Sequence, residues 1–151
     1  MKQVSDKLFV SPQVTRAELM QAQAAGIAAI VNNRPDGEEP GQPSAASNAA
    51  IAAELELGYT HIPVAPGQYS LEQVRALQAA IAAAEGPVLA HCKTGTRSAS
   101  LYAIGEVLDG RMTKEDVTAL GQSIGLDLSG AVRWLDANAS NQLIHFRSNL
   151  S

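Results

Sequence analysis

The sequence is poor in cysteine, in clustered basic residues and in long apolar runs, and each shortage excludes a structural feature or a class of function. A single cysteine occurs in 151 residues, so no disulfide forms within the chain. Lysine and arginine total 11 against 15 acidic residues, without a basic cluster, which argues against nucleic acid as a partner. No apolar run approaches the ~18 residues of a membrane span. With a polar amino terminus instead of a leader peptide, these features predict a cytoplasmic protein without a membrane partner.

Aromatic residues are also scarce, at 4% of the chain, whereas 46% of the residues are apolar and 17% are charged. This balance is typical of a globular domain rather than of a disordered chain. The length suits one domain, so we expect a single domain over residues 1–139. Residues 140–151 show no helical or strand periodicity, and we expect them to form a C-terminal tail.

Short apolar runs alternate with helical segments along the chain. The predicted strands span residues 8–11, 27–32, 59–64 and 87–92. Helices are predicted at 15–25, 47–58, 70–86, 97–108, 113–124 and 128–139. Such alternation favours an α/β fold with a mainly parallel sheet flanked by helices. Ligands of such sheets bind beyond the carboxyl ends of the strands, where Cys92 ends the last predicted strand.

The stretch AHCKTGTRSAS, residues 90–100, places the cysteine directly before a turn and a helix. A helix N-terminus and a nearby guanidinium favour the reactive thiolate form of cysteine, so we predict Cys92 as a nucleophile rather than a buried structural residue. Arg97 offers a planar fork for a tetrahedral oxyanion. The turn is predicted to bind the same anion through backbone amides and side chains, and its residues are Lys93, Thr94, Gly95 and Thr96. Ser98 is predicted to donate a hydrogen bond to the sulfur.

The loop after the predicted strand 27–32 is expected to reach the same edge of the sheet. It carries Arg34, Asp36, Glu38 and Glu39. We predict Arg34 as a second anion-binding residue and choose Asp36 among the three carboxylates as a candidate catalytic acid. The alternatives are an arginine that only anchors the loop and a solvated acidic loop. Because the histidines are not clustered with carboxylates, no metal and no other cofactor is predicted.

Residues 62–104 resemble the cysteine-dependent dual-specificity phosphatases. From about residue 3 to residue 138 the chain is more similar to the phosphatase-like domain of β-lactamase-hydrolase-like proteins, in which NNRPDGEEPGQPS, here residues 32–44, is a hallmark stretch. The resemblance implies a phosphatase-like fold with a reactive cysteine. Some members of this family are fused to a persulfide-dioxygenase domain and are linked with sulfur transfer. A persulfide dioxygenase or an acceptor thiol is therefore an expected partner.

Two departures from the phosphatase pattern bear on the reaction. Four residues separate Cys92 from Arg97, one fewer than in protein tyrosine phosphatases, and rhodanese-type sulfurtransferases use a loop of this length on another fold. Where dual-specificity phosphatases carry their acidic aspartate, this sequence has Ala65 and Pro66. Losing a general acid typically slows a reaction by roughly 10²–10⁴-fold.

The leading hypothesis from the sequence is a sulfurtransferase that works through a Cys92 persulfide, because a departing sulfite needs little protonation. Thiosulfate or a small persulfide would be the donor. One alternative is a phosphatase that hydrolyses phosphate esters through a phosphocysteine, with an acid from residues 34–39. A second alternative is a catalytically weak module that only binds an oxyanion. All three hypotheses predict a small anionic ligand.

Overall fold

The computed structural model describes residues 1–138, so the predicted boundary at 139 and the predicted tail 140–151 lie outside the described residues. The strands are β1 Lys2–Ser5, β2 Leu8–Ser11, β3 Ala29–Asn32, β4 Gly58–His61 and β5 Val88–His91. The helices are α1 Arg16–Ala24, α2 Ala45–Glu54, α3 Leu71–Ala83, α4 Thr96–Leu108, α5 Lys114–Ile124 and α6 Ser129–Ala137. Over this part of the chain no helix is long and apolar enough to cross a membrane.

The strands form one sheet in the order β1-β2-β5-β3-β4, in which only the β1–β2 pair is antiparallel. The predicted α/β fold with a mainly parallel sheet is therefore confirmed. Strand β1 was not predicted, because its sequence KQVS is polar and lies at an exposed edge. Strand β5 ends at His91, one residue before Cys92, so the cysteine is the first residue of the loop rather than the last of the strand.

Both faces of the sheet are covered by helices. Val10, Val31 and Ala90 pack into a core with α3, α4, α5 and α6, whereas Ile30 and Leu89 pack against α1 and α2. Successive residues of a strand point to opposite faces, so an apolar residue is needed at nearly every position. This requirement explains why the central strands are continuous apolar runs in the sequence.

The strand register brings three loops together at one edge of the sheet. His91 of β5 lies opposite Ser11 of β2 on one side and opposite Asn32 of β3 on the other. The three parallel strands therefore end level with one another. The residues that follow β2, β3 and β5 meet at this edge, where α/β sheets bind their ligands.

Capping residues stabilise the first turns of two helices. Thr15 and Glu18 form a capping box at α1, and Ser70 and Gln73 form another at α3. Helix α4 is different, because its N-cap is Gly95 and no side chain caps it. Its positive end faces the loop that begins at Cys92.

Candidate active site

The loop between β5 and α4 wraps around the sulfur of Cys92. The side chain is fully buried, and the backbone N–H of Gly95 donates a hydrogen bond to Sγ over 3.1 Å. Gly95 has a φ of +98°, and a Cβ there would lie 3.4 Å from the carbonyl group of Ser11. The positive φ explains why the turn favours glycine, whereas the contact at 3.4 Å is an ordinary packing distance. An N–H donor and a helix N-terminus thus lie at the sulfur, and the role of Cys92 as a nucleophile stays a prediction.

Arg97 is the second residue of α4 and is only 8% exposed. Its Nη1 donates to the carbonyl oxygen of Val64 over 2.8 Å, which fixes the plane of the guanidinium. Burial opposes its charge, but hydrogen bonding to Glu38 and the negative charge of Cys92 outweigh this, so the pKa of Arg97 is raised. The arginine is thus a fixed cation next to the sulfur.

A carboxylate already contacts this arginine. Glu38 accepts hydrogen bonds from Nη1 and Nη2 of Arg97 over 2.7 and 3.0 Å. It also accepts a hydrogen bond from Nε of Arg34 over 2.9 Å. The hydrogen bond from Arg97, aided by that from Arg34, holds the pKa of Glu38 below its usual value although partial burial opposes the shift. Glu38 is therefore ionised at neutral pH, where it bridges the two arginines.

Arg34 is held in the same site by several contacts. It is 4% exposed, and its backbone N–H donates to Oδ1 of Asn32 over 2.8 Å. Its Nη1 donates to Oε1 of Gln13 over 3.2 Å, and its carbonyl oxygen contacts Nε2 of His61 at 2.8 Å. The structure thus brings the predicted Arg34 close to Arg97, because Glu38 bonds to both arginines.

The predicted acid Asp36 lies elsewhere. Its Oδ1 accepts a hydrogen bond from the backbone N–H of Ala45 over 2.8 Å, at the first residue of α2. Asp36 thus ties the loop to this helix, whereas the carboxylate bonded to both arginines is Glu38, and a role of Asp36 as the acid stays a prediction. The sequence does not distinguish the two residues, because both are acidic and only two positions apart, and nothing local shows which one faces the arginines.

Glu39 pairs with Lys93 at the rim of the site and lies 3.6 Å from Nη2 of Arg34. The hydrogen bond from Lys93 is the main cause of a lowered pKa for Glu39. Lys93 is exposed, as expected for a charge that attracts an anion to the mouth. The hydroxyl of Thr94 donates to that of Thr96 over 3.1 Å, which braces the turn.

Ser98 does not donate to the sulfur. Its hydroxyl donates to Oδ1 of Asn33 over 2.7 Å, and Nδ2 of Asn33 donates to the carbonyl oxygen of Ile62 over 3.0 Å. A hydroxyl has one hydrogen, so the predicted bond from Ser98 to Cys92 is corrected to this buried link. The link fastens the first turn of α4 to the ends of β3 and β4. Ser98 positions the site rather than contacting the sulfur.

His91 lies beneath the loop and is fully buried. Burial lowers the pKa of His91 to about 4, so its ring is neutral. Nδ1 lies 3.4 Å from the carbonyl oxygen of Cys92, whereas Nε2 has no hydrogen-bond partner among residues 1–138. In this part of the chain no three His, Cys, Asp or Glu residues are grouped to hold a metal ion.

Sequence reasoning missed several residues of the site. Asn33 and Gln13 follow β3 and β2, and their backbone amides donate to the carbonyl oxygens of His91 and Lys93 over 2.7 and 3.2 Å. A signal was available, since polar residues directly after parallel strands meet at one edge.

The chain is similar to a family of known proteins over most of its length. Residues 1–109 match the family described as "Beta-lactamase hydrolase-like protein, phosphatase-like domain". A beta-lactamase hydrolase-like protein of Xylella fastidiosa is 43% identical over 136 residues, which are 90% of this chain and 32% of that protein. The chain thus spans about a third of the length of the curated relatives it matches.

Two solved structures are similar to this fold. A protein of Neisseria meningitidis, provisionally named a phosphatase, has a TM-score of 0.81 and 32% identity, over 90% of this chain and 96% of that one. P. aeruginosa TpbA, solved in complex with pTyr, has a TM-score of 0.64 and 21% identity, over 85% and 78% of the two chains, and shares the fold. On the match over residues 1–109, the chain belongs to the family of phosphatase-like domains of beta-lactamase hydrolase-like proteins.

Proposed function

We propose that this domain hydrolyses phosphate monoesters through a covalent phosphocysteine on Cys92. The observation that carries the proposal is the loop from Cys92 to Arg97. Its Gly95 N–H lies 3.1 Å from the sulfur, and its arginine is fixed by the carbonyl oxygen of Val64. Backbone donors and a guanidinium around one nucleophile suit the charge that develops on a phosphoryl group. Membership of a phosphatase-like family supports the same reaction.

The proposed reaction has two steps. The Cys92 thiolate attacks phosphorus, so that an S–P bond forms while the ester P–O bond breaks and an alkoxide or phenolate leaves with the electron pair. The leaving group then takes a proton from solvent. Water next attacks the phosphocysteine, the S–P bond breaks, and inorganic phosphate and the thiolate are released. In both steps Arg97 and the loop amides stabilise the nonbridging oxygens.

The surroundings of the sulfur favour esters with good leaving groups. Ala65 and Pro66 form a turn closed by a hydrogen bond from Gln68 N–H to the Ala65 carbonyl oxygen over 3.0 Å, and neither residue carries an acid. Glu38 is ionised between two arginines and has no proton to donate there. A phenol is acidic, with a pKa of ~10, and departs without much help. We therefore infer aryl phosphates as the preferred class, as the pTyr complex of TpbA also suggests.

Sulfur transfer is the second candidate, and the same lack of a proton donor at Ala65 favours it. In this reaction Cys92 attacks the outer sulfur of thiosulfate, a new S–S bond forms, and sulfite leaves with the electron pair of the old one. An acceptor thiol, or a persulfide dioxygenase downstream, would then consume the persulfide. The sequence-based hypothesis placed this reaction first. We place it second, because the family and the fold neighbours support phosphate ester hydrolysis better.

The test measures both reactions on the same protein. We expect hydrolysis of p-nitrophenyl phosphate that is abolished in Cys92→Ser and reduced on the order of 10²–10³-fold in Arg97→Lys, as for the loss of an oxyanion-stabilising group. Phenyl phosphate should turn over faster than an alkyl phosphate.

Thiosulfate is added separately, and intact-mass measurement reports any persulfide. A gain of one sulfur atom on Cys92, without release of phosphate from any ester, would reverse the ranking of the two reactions. Binding of phosphate without either reaction would leave only an anion-binding module.

A further inference from the structure

The carboxylate of Glu38 stands where an oxyanion would bind. The two nitrogens of the Arg97 fork donate to its two oxygens, and Nε of Arg34 donates to one of them. Guanidinium forks bind carboxylate and phosphate in the same planar way. An oxyanion that binds the same two nitrogens of Arg97 must therefore take the place of Glu38.

The loop of residues 33–44, which we call the acidic loop, is built to deliver this carboxylate. The side chain of Gln42 spans the loop, since its Oε1 accepts from Glu38 N–H over 3.1 Å and its Nε2 donates to the Pro35 carbonyl oxygen over 2.8 Å. Asp36 fastens the loop to the first residue of α2. The position of Glu38 is thus set by contacts around it and not by its bond to arginine alone.

Glu38 compensates positive charge that is buried in the site. Arg34 and Arg97 are 4% and 8% exposed, and buried cations require a negative partner. Among the described residues, Glu38 is the carboxylate bonded to both. If it left without a replacement, Arg97 would lose its carboxylate partner and Arg34 would keep only the longer contact to Glu39 at 3.6 Å. A dianionic phosphate group, with more oxygens and more charge than a carboxylate, fits this pair of cations.

We propose that Glu38 is an internal occupant of a two-arginine oxyanion site, and that the phosphate group of a substrate displaces it and binds both Arg34 and Arg97. The proposal rests on the proposed phosphatase function and makes Arg34 a residue that determines specificity. Before substrate binds, the glutamate supplies one negative charge to the two cations. A dianion that contacts both arginines displaces it more readily than a monoanion that contacts one.

The experiment measures binding of inorganic phosphate to the full chain by calorimetry, because this readout needs no turnover. Glu38→Gln removes the competing charge and should bind phosphate at least about tenfold more tightly than the parent protein. Glu54→Gln is the matched control, since Glu54 is an exposed glutamate paired with the exposed Arg16 over 2.8 Å. The phosphate affinity of this variant should equal that of the parent protein. Adding Arg34→Gln to Glu38→Gln should weaken phosphate binding at least about tenfold relative to Glu38→Gln alone.

Thermal unfolding supplies a second readout. The melting temperature of Glu38→Gln should rise more with added phosphate than that of the parent, because a tighter ligand stabilises the folded state more. If Glu38→Gln does not fold, Glu38→Asp retracts the carboxylate by one methylene and should still bind phosphate more tightly than the parent. Unchanged or weaker phosphate binding in whichever of these variants folds overturns the proposal, as does Arg34→Gln without effect.

These outcomes separate this proposal from the proposed function. A protein that hydrolyses no ester but binds phosphate more tightly as Glu38→Gln would refute the function and keep the displacement of Glu38. An active phosphatase whose phosphate affinity ignores Glu38 would do the reverse. Thiosulfate is titrated in parallel, and a gain for thiosulfate without one for phosphate would overturn the assignment of the site to a phosphate group.

Discussion

His91 should make the domain lose stability in mild acid. The ring is fully buried at the end of β5, and its pKa is lowered from 6.5 to about 4 mainly by burial. Between these values the unfolded chain binds a proton that the folded chain rejects. Stability is therefore lost as the pH falls below 6.5, and the loss is complete near pH 4.

The size of the effect follows from the two pKa values. A difference of about 2.5 units corresponds to about 3 kcal/mol when the full window is crossed. Between pH 7.5 and pH 5 the same linkage predicts a loss of about 2 kcal/mol in the free energy of unfolding. Carboxylates with lowered pKa values, such as Glu38 and Asp109, add to acid destabilisation mainly at lower pH, because they titrate below 4.5 and 3.8.

The assay is urea unfolding of the parent and of His91→Gln at several pH values from 7.5 to 5. Glutamine keeps a polar side chain but does not titrate, so the variant should lose less than about 0.5 kcal/mol over this range. Its absolute stability at pH 7.5 is the control for damage to packing. Equal losses in the parent and the variant would refute the assignment to His91. If the variant does not fold, NMR of the ring protons should show His91 neutral down to about pH 5, and titration near 6.5 would refute it.

Three further substitutions test how the site is held. Gly95→Ala forces a side chain into a φ of +98°, so the free energy of unfolding should fall by about 1–2 kcal/mol and ester hydrolysis at least tenfold; an unchanged urea midpoint would contradict the strained turn. Ser98→Ala leaves the buried Asn33 oxygen without its donor and should cost about 1–3 kcal/mol in urea unfolding, and a neutral effect would show that the bond is dispensable. Asp36→Ala removes the acceptor for Ala45 N–H and should cost about 0.5–2 kcal/mol. In Asp36→Ala the rates of aryl and alkyl ester hydrolysis should fall by the same factor. A selective fall in the rate for alkyl esters would identify Asp36 as the acid.

The sequence by itself determined the features that depend on neighbouring residues. The loop from Cys92 to Arg97 needs a glycine with positive φ and an arginine in the first turn of a helix, and both are written in one short stretch. The capping boxes at Thr15 and Ser70 are equally local. Alternation of strands and helices also sufficed for a parallel sheet, because βα units allow few arrangements.

The tertiary structure decided which distant side chains meet at the sulfur. Asp36, Glu38 and Glu39 are equivalent as carboxylates in the sequence, yet a bond to the first residue of α2 removes Asp36 and the Gln42 bridge directs Glu38 to the arginines. Ser98 likewise turns to Asn33, which the register of β3 and β5 brings beside it. Such choices depend on the path of a loop whose bonds join residues far apart in the chain. Local propensity therefore carries no information about them.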